Sequence, residues 1–172
     1  MFTKANAEAY FNGGKQESLI FLIIGVAAVL AALVLWFYLK HSWAKGAALP
    51  LLLTGLVQLV AGYTVYAQCD AQRKDIVYKM DMDPGALKNR ELPRMEKIAR
   101  GLVAYRYVEM GLLLAGLALF MVYKGHTDRQ YWMGLGAGLA LQAFLLLLGN
   151  IQAERRARGY LEGLKGFVQA NF

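Results

Sequence analysis

GLVAYRYVEMGLLLAGLALFMV, residues 101–122, has the length and the apolar content of a membrane-spanning helix, yet it contains Arg106 and Glu109. At a rise of 1.5 Å per residue, Arg106 would lie roughly 8 Å inside the span and Glu109 about 12 Å. A charge at that depth is costly, so both side chains should turn toward protein and not toward lipid. Because they are three residues apart, they share one helix face and can pair.

The composition of the whole chain indicates a polytopic membrane protein. Hydrophobic residues make up 58% of the 172 residues and charged residues 18%, and the charges are concentrated between long apolar runs. The formal net charge is +7. Since the basic residues lie beside apolar runs and are mixed with acidic ones, lipid headgroups are the expected counter-charge, and no nucleic-acid partner is expected.

Four apolar runs predict an all-α, single-domain membrane bundle of four helices. These spans cover residues 19–39, 46–68, 101–122 and 131–153. The remaining charged segments, 1–18, 70–100 and 154–172, carry 14 Lys and Arg residues, whereas the two short loops between spans carry four. Lys and Arg accumulate on the cytoplasmic side, so both termini and the central segment should lie there, as in a multi-pass protein of the bacterial inner membrane.

The charged segments have their own local signals. Segment 154–172 repeats apolar residues and is predicted to be an amphipathic helix at the membrane surface. Segment 1–18 holds aromatic residues among charges, with a break at Gly13–Gly14, and is predicted to be a short surface helix, with a loose polar terminus as the alternative. A turn is expected at Asp83-Pro84-Gly85. Pro93 suits the first turn of the helix that leads into the third span.

A shift of 84 residues brings several polar positions into coincidence. Lys40 then falls on Lys124, and Gln58 falls on Gln142. The pattern predicts two parallel copies of a two-helix hairpin, related by an axis along the membrane normal. The alternative is two ordinary hairpins with similar loop lengths.

The polar residues of the spans are expected to meet in one buried network. Its functional interpretation is a binding or gating site, or a proton-handling Glu109, and its structural interpretation is an ion pair with hydrogen bonds between helices. The small residues Gly134, Gly138 and Gly25 are predicted to allow close helix packing. Arg155, Arg156 and Arg158 are predicted to bind lipid headgroups. The intramembrane network is predicted to contain Arg106, Glu109, Tyr63, Tyr66, Tyr105, Gln58 and Gln142.

The sequence contains few candidate catalytic residues. Cys69 is the sole cysteine, so an internal disulfide and a cysteine metal cluster are excluded. His41 and His126 fall in the short loops, without the spacing within a span that a haem needs. We find no nucleophile with a base, no phosphate-binding loop and no zinc motif. The sequence therefore predicts no enzyme activity, no metal and no cofactor.

Two stretches carry a resemblance, KGAALPLLLTGLVQLVAGYTVYAQCDAQR (residues 45–73) and ELPRMEKIARGLVAYRYVEMGLLLAGLALF (residues 91–120). They resemble a family of small bacterial inner-membrane proteins that has no assigned activity, so the resemblance implies a fold and brings no catalytic residues. The layout is also similar to that of polytopic immunity proteins, which protect bacteria against pore-forming toxins.

Three functions are left open. The leading hypothesis is a protein that acts by contact with another protein in the bilayer, most concretely an immunity protein that blocks a toxin pore. The second is a small channel or transporter that uses the Arg106 and Glu109 cluster. The third is a lipid-modifying enzyme or an accessory subunit of a larger complex. Membrane lipids and a protein partner are expected, and self-association is left open.

Overall fold

The structure, a computed structural model, describes residues 3–171, and this part of the chain is all-helical, with no strand. Four of its helices are long and apolar enough to cross a membrane. This confirms the predicted all-α bundle of four long helices. The elements in chain order are α1 (Lys4–Phe37), α2 (Ser42–Met82), α3 (Pro84–Ala86), a π-helical turn (Leu87–Glu91), α4 (Leu92–Tyr123), a 3-10 turn (Thr127–Arg129) and α5 (Gln130–Asn171).

The four long helices form two hairpins that lie side by side. α1 packs on α2, α4 packs on α5, and the hairpins meet where α2 packs on α5, so α1 and α4 are the outer helices. The α2–α5 contact is parallel and close. A Cβ atom placed on Gly138 would be 2.6 Å from the Ala47 carbonyl oxygen, and one on Gly134 would overlap the Trp43 carbonyl. This is the arrangement that a parallel hairpin repeat predicts.

The glycines expected to pack helices lie at these crossings. Gly134 and Gly138 are on α5 against α2. Gly25 on α1 faces α2, where a Cβ atom would be 3.1 Å from the Gly55 carbonyl oxygen. In lipid, close backbone approach of this kind replaces the hydrophobic effect as the source of helix association.

The bundle has two different halves along its length. In the half built from the predicted spans, the core is small and consists mainly of Ala28, Ala32, Ala47, Ala48 and Leu51, while most large apolar side chains face outward. The other half, which we call the charged bundle, comprises residues 4–18, 70–100 and 154–171. Its core contains larger side chains, among them Phe11, Ile76, Leu87, Met95 and Leu164.

The charged bundle corrects the prediction of surface helices for segments 1–18 and 154–172. The described parts of these segments are continuous with α1 and α5, and the helix passes through Gly13 and Gly14 without a break. Their apolar faces are buried against each other and against the central segment. An apolar stripe on a helix indicates that something apolar covers it, but it does not distinguish lipid from a neighbouring helix.

The central segment turns where the sequence predicts. Asp83 ends α2, and its side chain accepts a hydrogen bond from the Ala86 backbone N–H at 3.1 Å. Pro93 lies in the first turn of α4, also as predicted, but α3 and the π-helical turn lead into that helix without a gap. The wider π turn gives the proline ring room against the carbonyl four residues earlier.

Candidate functional site

The deepest charges of the α4 span each find a partner on α5. Arg106 donates from Nη1 to both carboxylate oxygens of Glu154, at 2.9 and 3.2 Å. Arg158, one turn further along α5, adds an ion pair to the same carboxylate at 2.7 Å. Glu154 is only 4% exposed. A buried carboxylate is therefore held between two guanidinium groups, which offsets much of the cost of removing it from water.

Glu109 accepts a hydrogen bond from Asn150. It does not pair with Arg106, although the spacing of these two charges would have allowed it. The Asn150 side-chain amide donates to Glu109 Oε2 at 2.9 Å and to the Leu102 carbonyl oxygen at 3.0 Å. We call Arg106, Glu109, Asn150 and Glu154 the polar seam. It runs along the α4–α5 contact and links these two helices.

The other residues expected in this network lie elsewhere. Gln58 and Gln142 are almost fully buried, yet Gln58 Oε1 and both amide atoms of Gln142 have no hydrogen-bond partner within residues 3–171. Tyr63 and Tyr105 face outward and are 65% and 64% exposed. The polar residues of the spans thus form a seam, two buried amides and a set of outward tyrosines.

The three arginines expected at lipid headgroups also differ from one another. Arg155 is exposed. Arg156 turns into the charged bundle, where it forms an ion pair with Glu17 and lies over the Tyr10 ring at 5.7 Å. Arg158 is committed to Glu154. Arg155 and Arg158 thus keep exposed positions, as headgroup binding requires, whereas Arg156 is turned inward.

A second buried carboxylate, Glu91 in the charged bundle, was not predicted from the sequence. Arg94 donates to it twice, each time at 2.7 Å, and the Tyr160 hydroxyl donates at 3.3 Å. Burial, followed by the nearby Glu91 charge, raises the pKa of Tyr160, so its phenol remains a donor at neutral pH. The i, i+3 spacing of Glu91 and Arg94 was the one signal in the sequence for this group.

Comparison with protein-family models, with curated proteins and with solved structures finds no match. Among the described residues, no group of three His, Cys, Asp or Glu side chains is placed to hold a metal ion. The site that the geometry defines is thus a set of charged and amide groups inside a bundle of long helices. Four of these groups, the polar seam, join α4 to α5 through hydrogen bonds and an ion pair.

Proposed function

We propose that the chain is an integral protein of the bacterial inner membrane, with four crossings and with the charged bundle and both termini in the cytoplasm. The spacing of aromatic rings supports this placement. Trp43 and Tyr66, both partly exposed on α2, are 23 positions apart, or about 35 Å along a helix. That matches a hydrocarbon core of about 30 Å with rings at each surface. Large exposed apolar side chains, such as Leu53 and Val60, fill the interval.

Its proposed action is to hold another membrane protein against α4. The observation that supports this is the low burial of α4. Only 6% of its most apolar 18-residue stretch is buried, whereas the corresponding fraction is 22% for α1, 28% for α2 and 33% for α5. The side of α4 opposite the polar seam carries small exposed residues, and nothing lies within 4 Å of a Cβ atom placed on Gly111. We call Ala104, Gly111, Ala115 and Ala118 the outer face of α4.

Small residues on a membrane helix let a second helix approach closely, so the outer face of α4 suits a helical partner. In the most concrete version, the partner is a pore-forming toxin and the chain is its immunity protein. A channel has less support in the geometry. The polar seam lies between two adjacent helices, and no hydrogen bond within residues 3–171 links it to Gln142.

The proposed function is tested by measuring whether the chain protects cells from such toxins. Cells that express the chain are exposed to membrane-inserting toxins from competing bacteria, and survival is compared with cells that lack it. We expect protection that is lost in Ala115→Leu, because the larger side chain blocks close approach of the partner helix. Ala31→Leu, the same change at an exposed position of the α1 span, should protect fully.

The absence of protection from every toxin tried, together with the recovery of no cross-linked protein partner from the membranes, would contradict the proposal. Recovery of a second copy of the chain, cross-linked through α4, would replace the toxin with self-association. Equal loss of protection in both leucine variants would show that α4 has no special part in the contact.

A further inference from the structure

A cleft opens where the two hairpins diverge, between α2 and α4. Its volume is about 370 Å³, and all four long helices contribute to its lining. That volume lies within the range of small-molecule pockets. On the α2 side the lining residues Val65 and Gln68 are exposed, so the cleft opens sideways, between the helices.

The cleft lies at the height where the spans meet the charged bundle. Val65 precedes the partly exposed Tyr66 on α2, and Leu102 lies one turn before the exposed Tyr105 on α4. Tyrosine rings mark the bilayer surface in membrane proteins. If the chain is inserted as proposed, the mouth of the cleft faces the headgroup region of the cytoplasmic leaflet.

The polar groups in the cleft are of a kind that binds anions. Arg94 and Arg156 line it, together with Gln68 and Gln72, whereas no Asp or Glu is among its lining residues. The acidic partners of the two arginines, Glu91 and Glu17, bind them from outside this lining. The cleft therefore presents guanidinium and amide groups without a carboxylate of its own.

One donor of the lining residue Arg156 has no acceptor among the described residues. Arg156 Nε is buried and makes no hydrogen bond within the described chain. Leaving a buried guanidinium N–H without an acceptor is costly, so a ligand oxygen that accepted from it would gain binding free energy. Gly14 lines the cleft beside this guanidinium, and a Cβ atom there would be in van der Waals contact with Arg156 Nη2, at 3.8 Å.

The walls toward the span are apolar, and Val65, Ile98 and Leu102 form part of them. We propose that the cleft binds one anionic membrane lipid. Its phosphate accepts hydrogen bonds from Arg156, and its acyl chains leave between α2 and α4 into the bilayer. The site uses the proposed membrane insertion but not the proposed protein partner. Because it lies on the side of α4 opposite Gly111, either proposal can fail alone.

Cys69 supplies a reporter, because it lines the cleft and is the only cysteine of the chain. The full chain is placed in nanodiscs of phosphatidylcholine, with or without phosphatidylglycerol, and the rate of Cys69 alkylation by iodoacetamide is measured. We expect phosphatidylglycerol to slow labelling about tenfold, because a lipid in the cleft covers the thiol. Inorganic phosphate added to phosphatidylcholine discs should have little effect.

Two variants test the site itself. Arg156→Gln should abolish the protection by phosphatidylglycerol, whereas Arg155→Gln, with the same change of charge one position away and exposed, should retain it. Because Arg156 also pairs with Glu17, Ala153→Leu is a second test that fills the cleft without a change of charge. Its control is Ala71→Leu, an exposed position on α2 outside the lining. Helical circular dichroism verifies that each variant is folded.

Native mass spectrometry should recover phosphatidylglycerol with the wild type and the two controls, and about tenfold less with the two cleft variants. The proposal is overturned if phosphatidylglycerol leaves the labelling rate unchanged, or if Arg155→Gln and Arg156→Gln behave alike while Ala153→Leu still binds lipid. Protection by inorganic phosphate equal to that by phosphatidylglycerol would overturn the lipid assignment in favour of a free anion.

Discussion

Arg106 on α4 and Glu154 on α5 are 48 positions apart in the chain, yet their side chains meet at 2.9 Å across the contact of the two helices. Glu154 lies at the end of the last predicted span, so this ion pair marks the border between the apolar half and the charged bundle. It joins the two halves of the molecule as well as two helices.

Loss of this carboxylate should destabilise the fold. Glu154→Gln leaves Arg106 and Arg158 without their counter-charge in a largely buried setting, where removal of one ion-pair partner costs several kcal/mol. Since both arginines are partly exposed, we expect about 2 kcal/mol, or roughly 4–8 °C in the unfolding midpoint. Thermal unfolding in detergent, followed by circular dichroism, measures it. Glu162→Gln, at an exposed position of the same helix, should change the midpoint little.

The hydrogen bond between Asn150 and Glu109 should contribute a measurable coupling energy. Asn150→Ala and Glu109→Ala are compared with the double variant in a thermodynamic cycle. We expect a coupling of about 0.6 kcal/mol and at most about 1.7 kcal/mol, the mean and the maximum found for hydrogen bonds between membrane helices. Gln152→Ala, at an exposed position nearby, serves as the control and should show none with Glu109→Ala. A coupling indistinguishable from that control would mean that the two side chains do not interact in the membrane.

Substitution of two α5 glycines by alanine should have opposite effects. Gly138→Ala places a methyl group 2.6 Å from the Ala47 carbonyl oxygen, so the hairpins must separate, at a cost of about 1–3 kcal/mol. Gly159→Ala meets nothing within 4 Å and should stabilise the helix by up to about 1 kcal/mol. The unfolding midpoints of the two variants should therefore shift in opposite directions. Two shifts of the same sign would contradict the close α2–α5 contact.

The ion pair between Lys15 and Asp70 predicts a dependence of stability on pH. The hydrogen bond from Lys15 holds the pKa of Asp70 below its usual value of 3.8, and the same bond raises the pKa of Lys15. Asp70 thus contributes stability above its unfolded pKa, and this is lost as the pH falls through the folded pKa. The Lys15 contribution is complete below its unfolded pKa and is lost as the pH rises through the folded value.

The Asp70→Asn variant should therefore lose less stability than the wild type on acidification below about pH 4. It should also lose less stability than the wild type above about pH 10.5. Unfolding midpoints across this pH range measure both effects. Asp128→Asn, an exposed position in the loop before α5, is the control and should leave the profile unchanged. A profile of Asp70→Asn that matches the control would show that the pair does not form in solution.

The long apolar runs, the short loops and the turn at Asp83 could be predicted because length, charge and turn chemistry are local properties. The partner of Arg106 could not be predicted, since it depends on the register between α4 and α5. That register is set by contacts such as Gly116 against Ala140, where a Cβ atom on the glycine would be 2.6 Å from the alanine nitrogen. The fit of one helix surface to another is not written in the spacing along either helix.

The packing of the charged bundle could not be predicted, for a related reason. Residues 154–171 show the apolar periodicity that a surface helix would show, and only the assembled structure reveals that Tyr160 and Leu164 pack against Phe11 and Met95. The hypothesis of duplicated hairpins predicts the side-by-side arrangement but not the polar seam. Gln58 and Gln142 coincide in the repeat and are both buried, whereas Asp70 is half exposed and its counterpart Glu154 is buried.

The helices pass from the charged bundle into the apolar half without interruption. A tilt at one end of such a helix therefore displaces its other end. α2 has 41 residues and is therefore about 60 Å long. A tilt of about 5° at its charged end would carry the far end through about 5 Å, comparable to one helical turn. Occupation of a site in the charged bundle would in this way be transmitted mechanically to the loops that hold His41 and His126 at the opposite end of the molecule.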